Sequence, residues 1–237
     1  MFKRIKDFPN YLVCDDGIVK RGGRNMIKSI SYSQDEILNW IIQLYCPVGF
    51  ELDPTYSKGC FYKNIPKPQL RFDLNPQIEG VEQSDCCNLP LNNESINTMI
   101  FDPPFVAGKG NTTNGIIRAR FGSYKTTQNH LWPMYHAALT EFYRILKQNG
   151  ILVVKCQDCI DSAKQYMSHI EIINKAAALG FYPKDLFILL AKHRMMSPNM
   201  KVQQHARKFH CYFIVFIKKQ SPVKYYIQNQ RIEGVEI

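Results

Sequence analysis

Short apolar runs alternate with amphipathic stretches along this chain, and the alternation predicts an α/β domain. Phe50 to Asp53, Leu70 to Asp73, Val81 to Gln83, Met99 to Asp102 and Ile151 to Cys156 each read as a short apolar strand. Between and around them lie segments of helical period. Ser33 with Glu36 three residues on forms a capping box, followed by Ile37, Trp40, Ile41 and Leu44, with Pro47 and Gly49 as the stop. Leu131, Tyr135, Ala138, Leu139, Phe142 and Leu146 predict a second helix closed by Gly150. Ala163, Met167, Ile170 and Ala177 predict a third, closed by Gly180. Leu186 to Leu190 and Phe209 to Ile217 are strands whose connecting loop, His193 to Lys208, is short enough for an antiparallel pair. Strands alternating with helices in this way specify a doubly wound, mostly parallel sheet.

The expected organisation is a small N-terminal appendage over residues 1–30, a main domain over 31–220 and a tail over 221–237. The appendage carries a strand at Tyr11 to Val13, a turn at Asp15-Asp16-Gly17 and the basic segment Lys20 to Arg24. A chain of 237 residues with 45% hydrophobic content suffices for one large domain with a substantial core. No apolar run approaches the roughly 20 residues that span a bilayer, so the expectation is a cytoplasmic protein without membrane association. The formal charge of +10 directs attention to a polyanionic partner, since lysine and arginine surfaces bind phosphates through counterion release. The eight cysteines lack the dense spacing of a disulfide scaffold and read as reduced thiols. Cys156-Gln157-Asp158-Cys159 is a lone CxxC at a strand end without a second pair of ligands, so no metal site is expected.

Candidate chemistry sits at the strand ends. Asp53, Asp73 and Asp85 lie at or just beyond the ends of three successive predicted strands, and Ile96-Asn97-Thr98-Met99-Ile100-Phe101 stops abruptly on Asp102-Pro103-Pro104-Phe105. Two prolines cannot donate to a sheet ladder, so the chain must leave the sheet after Asp102 and present the acid and the ring outward. In an open parallel sheet ligands bind beyond the carboxyl ends of the strands, where these four acids would converge.

In this order, residues 33 to 219 resemble the S-adenosylmethionine-dependent DNA amino-methyltransferases, with Asp-Pro-Pro-Phe in the form typical of enzymes acting on the adenine amine. The segment His205 to Phe213 resembles a block in small phage and bacterial members. The resemblance implies a seven-stranded Rossmann-like methyltransferase sheet with an antiparallel C-terminal strand, and S-adenosyl-L-methionine as cofactor. It implies Asp53, Thr55, Tyr56 and Gly59 around the methionine end, Asp73 on the ribose hydroxyls, and Asp85 with Cys86 beside the adenine. Asp102 and the Pro103 carbonyl would accept the two N–H bonds of the target amine, Pro104 would stiffen the segment, and Phe105 would stack on a flipped base. The loop Pro54-Thr55-Tyr56-Ser57-Lys58-Gly59 departs from the family in carrying a single glycine.

Substrate contacts are expected from two basic loops. Residues 106 to 130 interleave Lys109, Arg118, Arg120 and Lys125 with Phe121 and Tyr124, and residues 192 to 208 carry Arg194 and His205. Cations among aromatics suit phosphate contact with base stacking. The partner is thus read as nucleic acid, DNA first. RNA-base methylation and a non-catalytic nucleic-acid-binding homologue stand as the alternatives.

Overall fold

A computed structural model describes residues 26–105, 128–161, 163–192 and 203–220, together with the backbone of three short strands between residues 3 and 21. Those strands, β1 (Lys3–Ile5), β2 (Phe8–Val13) and β3 (Val19–Arg21), form an antiparallel sheet that contains the expected Tyr11 to Val13 strand. The main sheet comprises β4 (Ile30–Ser31), β5 (Leu52–Asp53), β6 (Leu70–Asp73), β7 (Glu82–Gln83), β8 (Ile96–Phe101), β9 (Leu146–Cys156), β12 (Phe181–Leu190) and β13 (His210–Lys218). Between β9 and β12 a hairpin, β10 (Cys159–Asp161) with β11 (Lys164–Tyr166), stands apart from it. The helices are α1 (Gln34–Tyr45), α2 (Gln128–Ile145) and α3 (Ser168–Leu179).

Strand order in the main sheet is β4-β12-β13-β9-β8-β5-β6-β7. All neighbours pair in parallel except β13, which runs antiparallel to both β9 and β12. The doubly wound, Rossmann-like sheet with its antiparallel C-terminal strand is therefore present, with eight strands where seven are expected. The additional strand is the two-residue β4, aligned on Ile188 and Leu189 at the edge.

Both faces of the central strands are buried, and their side chains alternate between two cores. Met99, Phe101, Leu152, Val154, Ile214 and Phe216 pack with α2 and α3. Ile100, Val153, Phe213 and Val215 pack with α1 and the loop carrying Tyr56, Phe61 and Tyr62. The apolar runs lack a polar face for this reason: helices or loops cover both sides of the sheet. Ser33 caps α1 as expected, its hydroxyl accepting from the Glu36 N–H at 3.3 Å.

Two sequence expectations are corrected. The second helix ends at Ile145, because Leu146 pairs with Ile96 of β8 and its carbonyl accepts from Lys218 Nζ at 2.7 Å. Gly150 consequently lies inside β9 instead of closing a helix. The third helix begins at Ser168, and Ala163 turns the β10–β11 hairpin at φ 62°. Its buried face is Ser168, Ile172 and Ala176, with Met167 and Ile170 about half exposed. Gly180 does close that helix, at φ 104°. Among the described residues no helix is long and apolar enough to cross a membrane.

Candidate active site

Chain order runs outward from β5 through β6 to β7, then returns to the other side of β5 for β8 and β9. The reversal falls between β5 and β8. The chain leaves β5 towards β6 on one side and leaves β8 towards β9 on the other, and such a reversal is where open sheets of this kind bind ligands. β5 ends on Asp53 and β8 leads into Asp102, so topology places these two acids at the switch point.

Asp53 is 2% exposed. Its Oδ1 accepts from the Thr55 N–H at 2.8 Å and the Thr55 hydroxyl at 3.3 Å, and its Oδ2 accepts from Tyr62 Oη at 2.6 Å. Burial pushes the Asp53 carboxyl up to about 7, with Asp102 adding to the rise and the Tyr62 and Thr55 bonds opposing it. The same Thr55 oxygen accepts from the Asp102 N–H at 3.0 Å, so one side chain ties the two strand ends together. Tyr56 lies buried, with its ring stacked on Tyr62 at 5.1 Å. Gly59 serves that stack. It adopts φ +67°, and a Cβ there would stand 2.7 Å from the Tyr56 ring.

The Asp102-Pro103-Pro104-Phe105 segment is pinned at both ends. Beyond the Asp102 N–H on Thr55, the Pro104 carbonyl accepts from Tyr135 Oη at 3.0 Å. Tyr135 is 2% exposed, and burial raises its hydroxyl far above the ordinary tyrosine range, keeping it a neutral donor. Asp102 and Phe105 both remain partly accessible.

Lys155, near the end of β9, completes this cluster. Its Nζ stands 3.6 Å from Asp102 Oδ2 and donates to Gln34 Oε1 at 3.0 Å. It also lies over the rings of Phe61, Phe105 and Phe213, at 4.7, 5.5 and 5.6 Å from their centroids. Sequence reasoning missed Lys155, Gln34 and Tyr62. A lone cation inside the run Leu152-Val153-Val154-Lys155-Cys156 was a usable signal, whereas nothing marks Tyr62 or Gln34 in one dimension.

Asp73 ends β6 with each carboxylate oxygen holding one backbone N–H at 2.8 Å, from Ser57 and from Asn75. Each oxygen keeps a second lone pair for a further donor. Ser57 N–H on Asp73 and Tyr56 N–H on the Phe72 carbonyl lay the β5 loop across the end of β6. Asp85 is exposed and accepts from the Cys87 N–H at 2.9 Å, and its carboxylate lies within 4.8 Å of both the Cys86 and Cys87 thiols. The structure thus gathers Asp53, Thr55, Asp102 and Phe105 at the switch point, with Asp73 and Asp85 at the ends of the next strands out.

Arg118, Arg120, Lys125 and Arg194 lie outside the described residues. His205 is exposed, and its carbonyl accepts from Gln203 Nε2 at 3.0 Å. His210 Nε2 lies 2.9 Å from Tyr212 Oη, and Tyr212 in turn reaches the buried Asp158, which also holds His169 Nδ1 at 2.7 Å. Asp158 accepts the His169 N–H at 3.3 Å as well, so this network secures the start of α3. Of the CxxC pair, Cys156 is a buried core residue and Cys159 is half-buried.

No protein-family model matches the chain, and no curated protein matches it in sequence. Solved structures do resemble it. TTHA0409 of Thermus thermophilus, named as a candidate DNA modification methylase, superposes with a TM-score of 0.39 at 18% identity, over 62% of this chain and 57% of that one. The same protein complexed with S-adenosyl-L-methionine gives 0.39 at 16% identity, over 62% and 58%. The PvuII DNA methyltransferase, specific for cytosine N4, gives 0.42 at 15% identity, over 60% and 49%. The likeness is one of architecture, and the chain spans under three fifths of these proteins' lengths.

Proposed function

We propose that this chain transfers a methyl group from S-adenosyl-L-methionine to the exocyclic amine of a nucleic-acid base, adenine N6 in DNA foremost. The observation that carries the reading is the coupling across the switch point. A buried acid poised near neutrality is joined through Thr55 to a second acid, and that acid is followed by two prolines and an accessible ring. A buried carboxyl raised in this way is primed to ionise when a cation arrives beside it.

Residues 31–220 form the catalytic unit in this reading, with residues 1–30 and 221–237 as accessory segments. Asp53, Thr55, Tyr56 and Gly59 frame the methionine end of the cofactor. The remaining lone pairs of Asp73 suit the ribose hydroxyls, and Asp85 with Cys86 flanks the adenine. The bound cofactor supplies an electrophilic methyl group on a cationic sulfur that departs as a neutral sulfide.

An aromatic amine is a weak nucleophile because its lone pair is delocalised into the ring. The Asp102 carboxylate and the Pro103 carbonyl accept its two N–H bonds and draw the nitrogen towards a pyramidal geometry. On methyl transfer the nitrogen would gain positive charge, which the Asp102 carboxylate and the Pro103 carbonyl would stabilise until the extra proton is released to water. The bonds from Thr55 and Tyr135 hold the segment in place beforehand, so little reorganisation is left for the reaction itself. Phe105 stacks on the base, and the Lys155 ammonium faces the Asp102 carboxylate at 3.6 Å. Arg118, Arg120, Lys125, Arg194 and His205 are the proposed phosphate contacts.

Incubating the protein with labelled cofactor and separate DNA and RNA pools, then digesting to nucleosides, tests the reading. Label is expected in N6-methyldeoxyadenosine. Label confined to RNA nucleosides would move the substrate to RNA, and cofactor binding without transfer to any base would overturn the proposal.

A further inference from the structure

Beyond the reacting centre, an open cleft of about 380 Å³ lies at the β4 edge of the sheet, lined among others by Lys28, Ser31, Tyr32, Glu36, Trp40 and Lys192. We infer that it holds one nucleotide of the substrate strand beside the target, with its base against Tyr32 and Trp40 and its phosphate between Lys28 and Lys192. This inference rests on the nucleic-acid reading above and assigns a place for a neighbour of the reacting base.

Four features support that occupant. Tyr32 is 61% exposed, a large ring that folding leaves uncovered. The Lys192 ammonium lies 5.9 Å from the centre of this ring, so a cation and a stacking face are presented together. Two lysines outnumber the single carboxylate of Glu36, which accepts from the Ser31 hydroxyl and is thereby turned to the β4 side. The cleft also opens at the same end of the sheet as Asp102. β4 and β12 run parallel to β9, and their carboxyl ends supply Tyr32 and Lys192. Gln34, one residue beyond Ser33 at the cleft wall, binds Lys155, which in turn faces Asp102. A strand delivering its base to Phe105 therefore meets basic and aromatic surface on the far side of Gln34, at the start of α1. Aromatic faces beside a cationic groove are what single-stranded nucleic acid requires, and they take any base through its π-face.

The test uses the full chain and fluorescein-labelled single-stranded DNA and RNA oligonucleotides containing adenine, with affinity measured across a salt series. Tyr32→Ala should weaken oligonucleotide binding about fivefold to a hundredfold, the range of one missing stack, while Tyr32→Phe should retain it. Replacing both Lys28 and Lys192 by glutamine should flatten the slope of log affinity against log salt by about 0.7 for each phosphate no longer neutralised. Cofactor affinity should be unchanged in all three variants. In a Trp132→Phe background, which leaves Trp40 as the sole tryptophan, oligonucleotide should quench the emission. If the wild-type protein binds and methylates an oligonucleotide while the Tyr32 and lysine variants match its affinity and salt slope, the cleft assignment fails and the functional reading survives. If it binds the cofactor but neither binds nor methylates nucleic acid, both fail.

Discussion

Asp53→Asn should stabilise the fold at neutral pH and weaken the proposed cofactor site, because the native carboxyl is held where its charge is disfavoured. The side chain is 2% exposed, and burial moves it from 3.8 to about 7 despite the donors Thr55 and Tyr62. Between those two values the folded protein keeps a proton that the unfolded chain has released. Wild-type stability therefore declines as pH rises from about 4 to about 7 and levels off above that. A displacement of just over three pH units at about 1.4 kcal/mol each sets the accumulated cost at about 4 kcal/mol by pH 8. Asparagine has the same shape, can accept from Thr55 and has no charge to bury. Urea denaturation of both proteins at pH 5, 6, 7 and 8 should show the variant exceeding wild type by about 1–2 kcal/mol at pH 5, the gap widening to about 4 kcal/mol at pH 8. A cationic ligand reverses the balance by favouring the ionised form, so wild-type cofactor affinity should climb up to tenfold per unit as pH approaches 7 and then level off. The affinity of the variant should be low throughout. Parallel stability profiles for the two proteins, or a wild-type cofactor affinity that does not vary with pH, would refute the reasoning.

Asp102→Ala should abolish methyl transfer while cofactor affinity stays within a few-fold of wild type, measured by single-turnover kinetics and calorimetry; normal turnover would remove Asp102 from the mechanism. Asp73→Ala should weaken cofactor binding by tenfold or more, since both the proposed ribose acceptor and the anchor of the Ser57 and Asn75 N–H groups are removed. Unchanged calorimetric affinity would contradict that assignment. Gly59→Ala forces a Cβ to 2.7 Å from the Tyr56 ring at a left-handed φ, and a loss of about 1–3 kcal/mol in thermal or urea unfolding is expected. An unaltered midpoint would show that the Tyr56–Tyr62 stack yields without cost.

Much of this molecule is legible in one dimension, for reasons that are local. The runs at Met99 to Phe101 and Ile151 to Val154 are apolar on both faces because both faces are covered, and such runs are recognisable before any partner is known. The Pro103-Pro104 pair ends a strand by its own covalent chemistry, so Asp102 and Phe105 could be located at a strand end from sequence. Ser33 with Glu36 and Gly180 mark helix ends through backbone chemistry within a few residues of themselves. Tertiary structure decided whatever depended on a distant partner. Gly150 has the composition of a helix stop, but Ile96 and Lys218 claim Leu146 first and convert the segment to strand. Tyr62 meets Asp53, Tyr135 meets Pro104, and Lys155 meets Asp102 and Gln34 across separations that no periodicity records. The charge state of Asp53 belongs to the same class. Sequence supplies the carboxyl, but only the packing that removes water from it moves its ionisation towards neutrality.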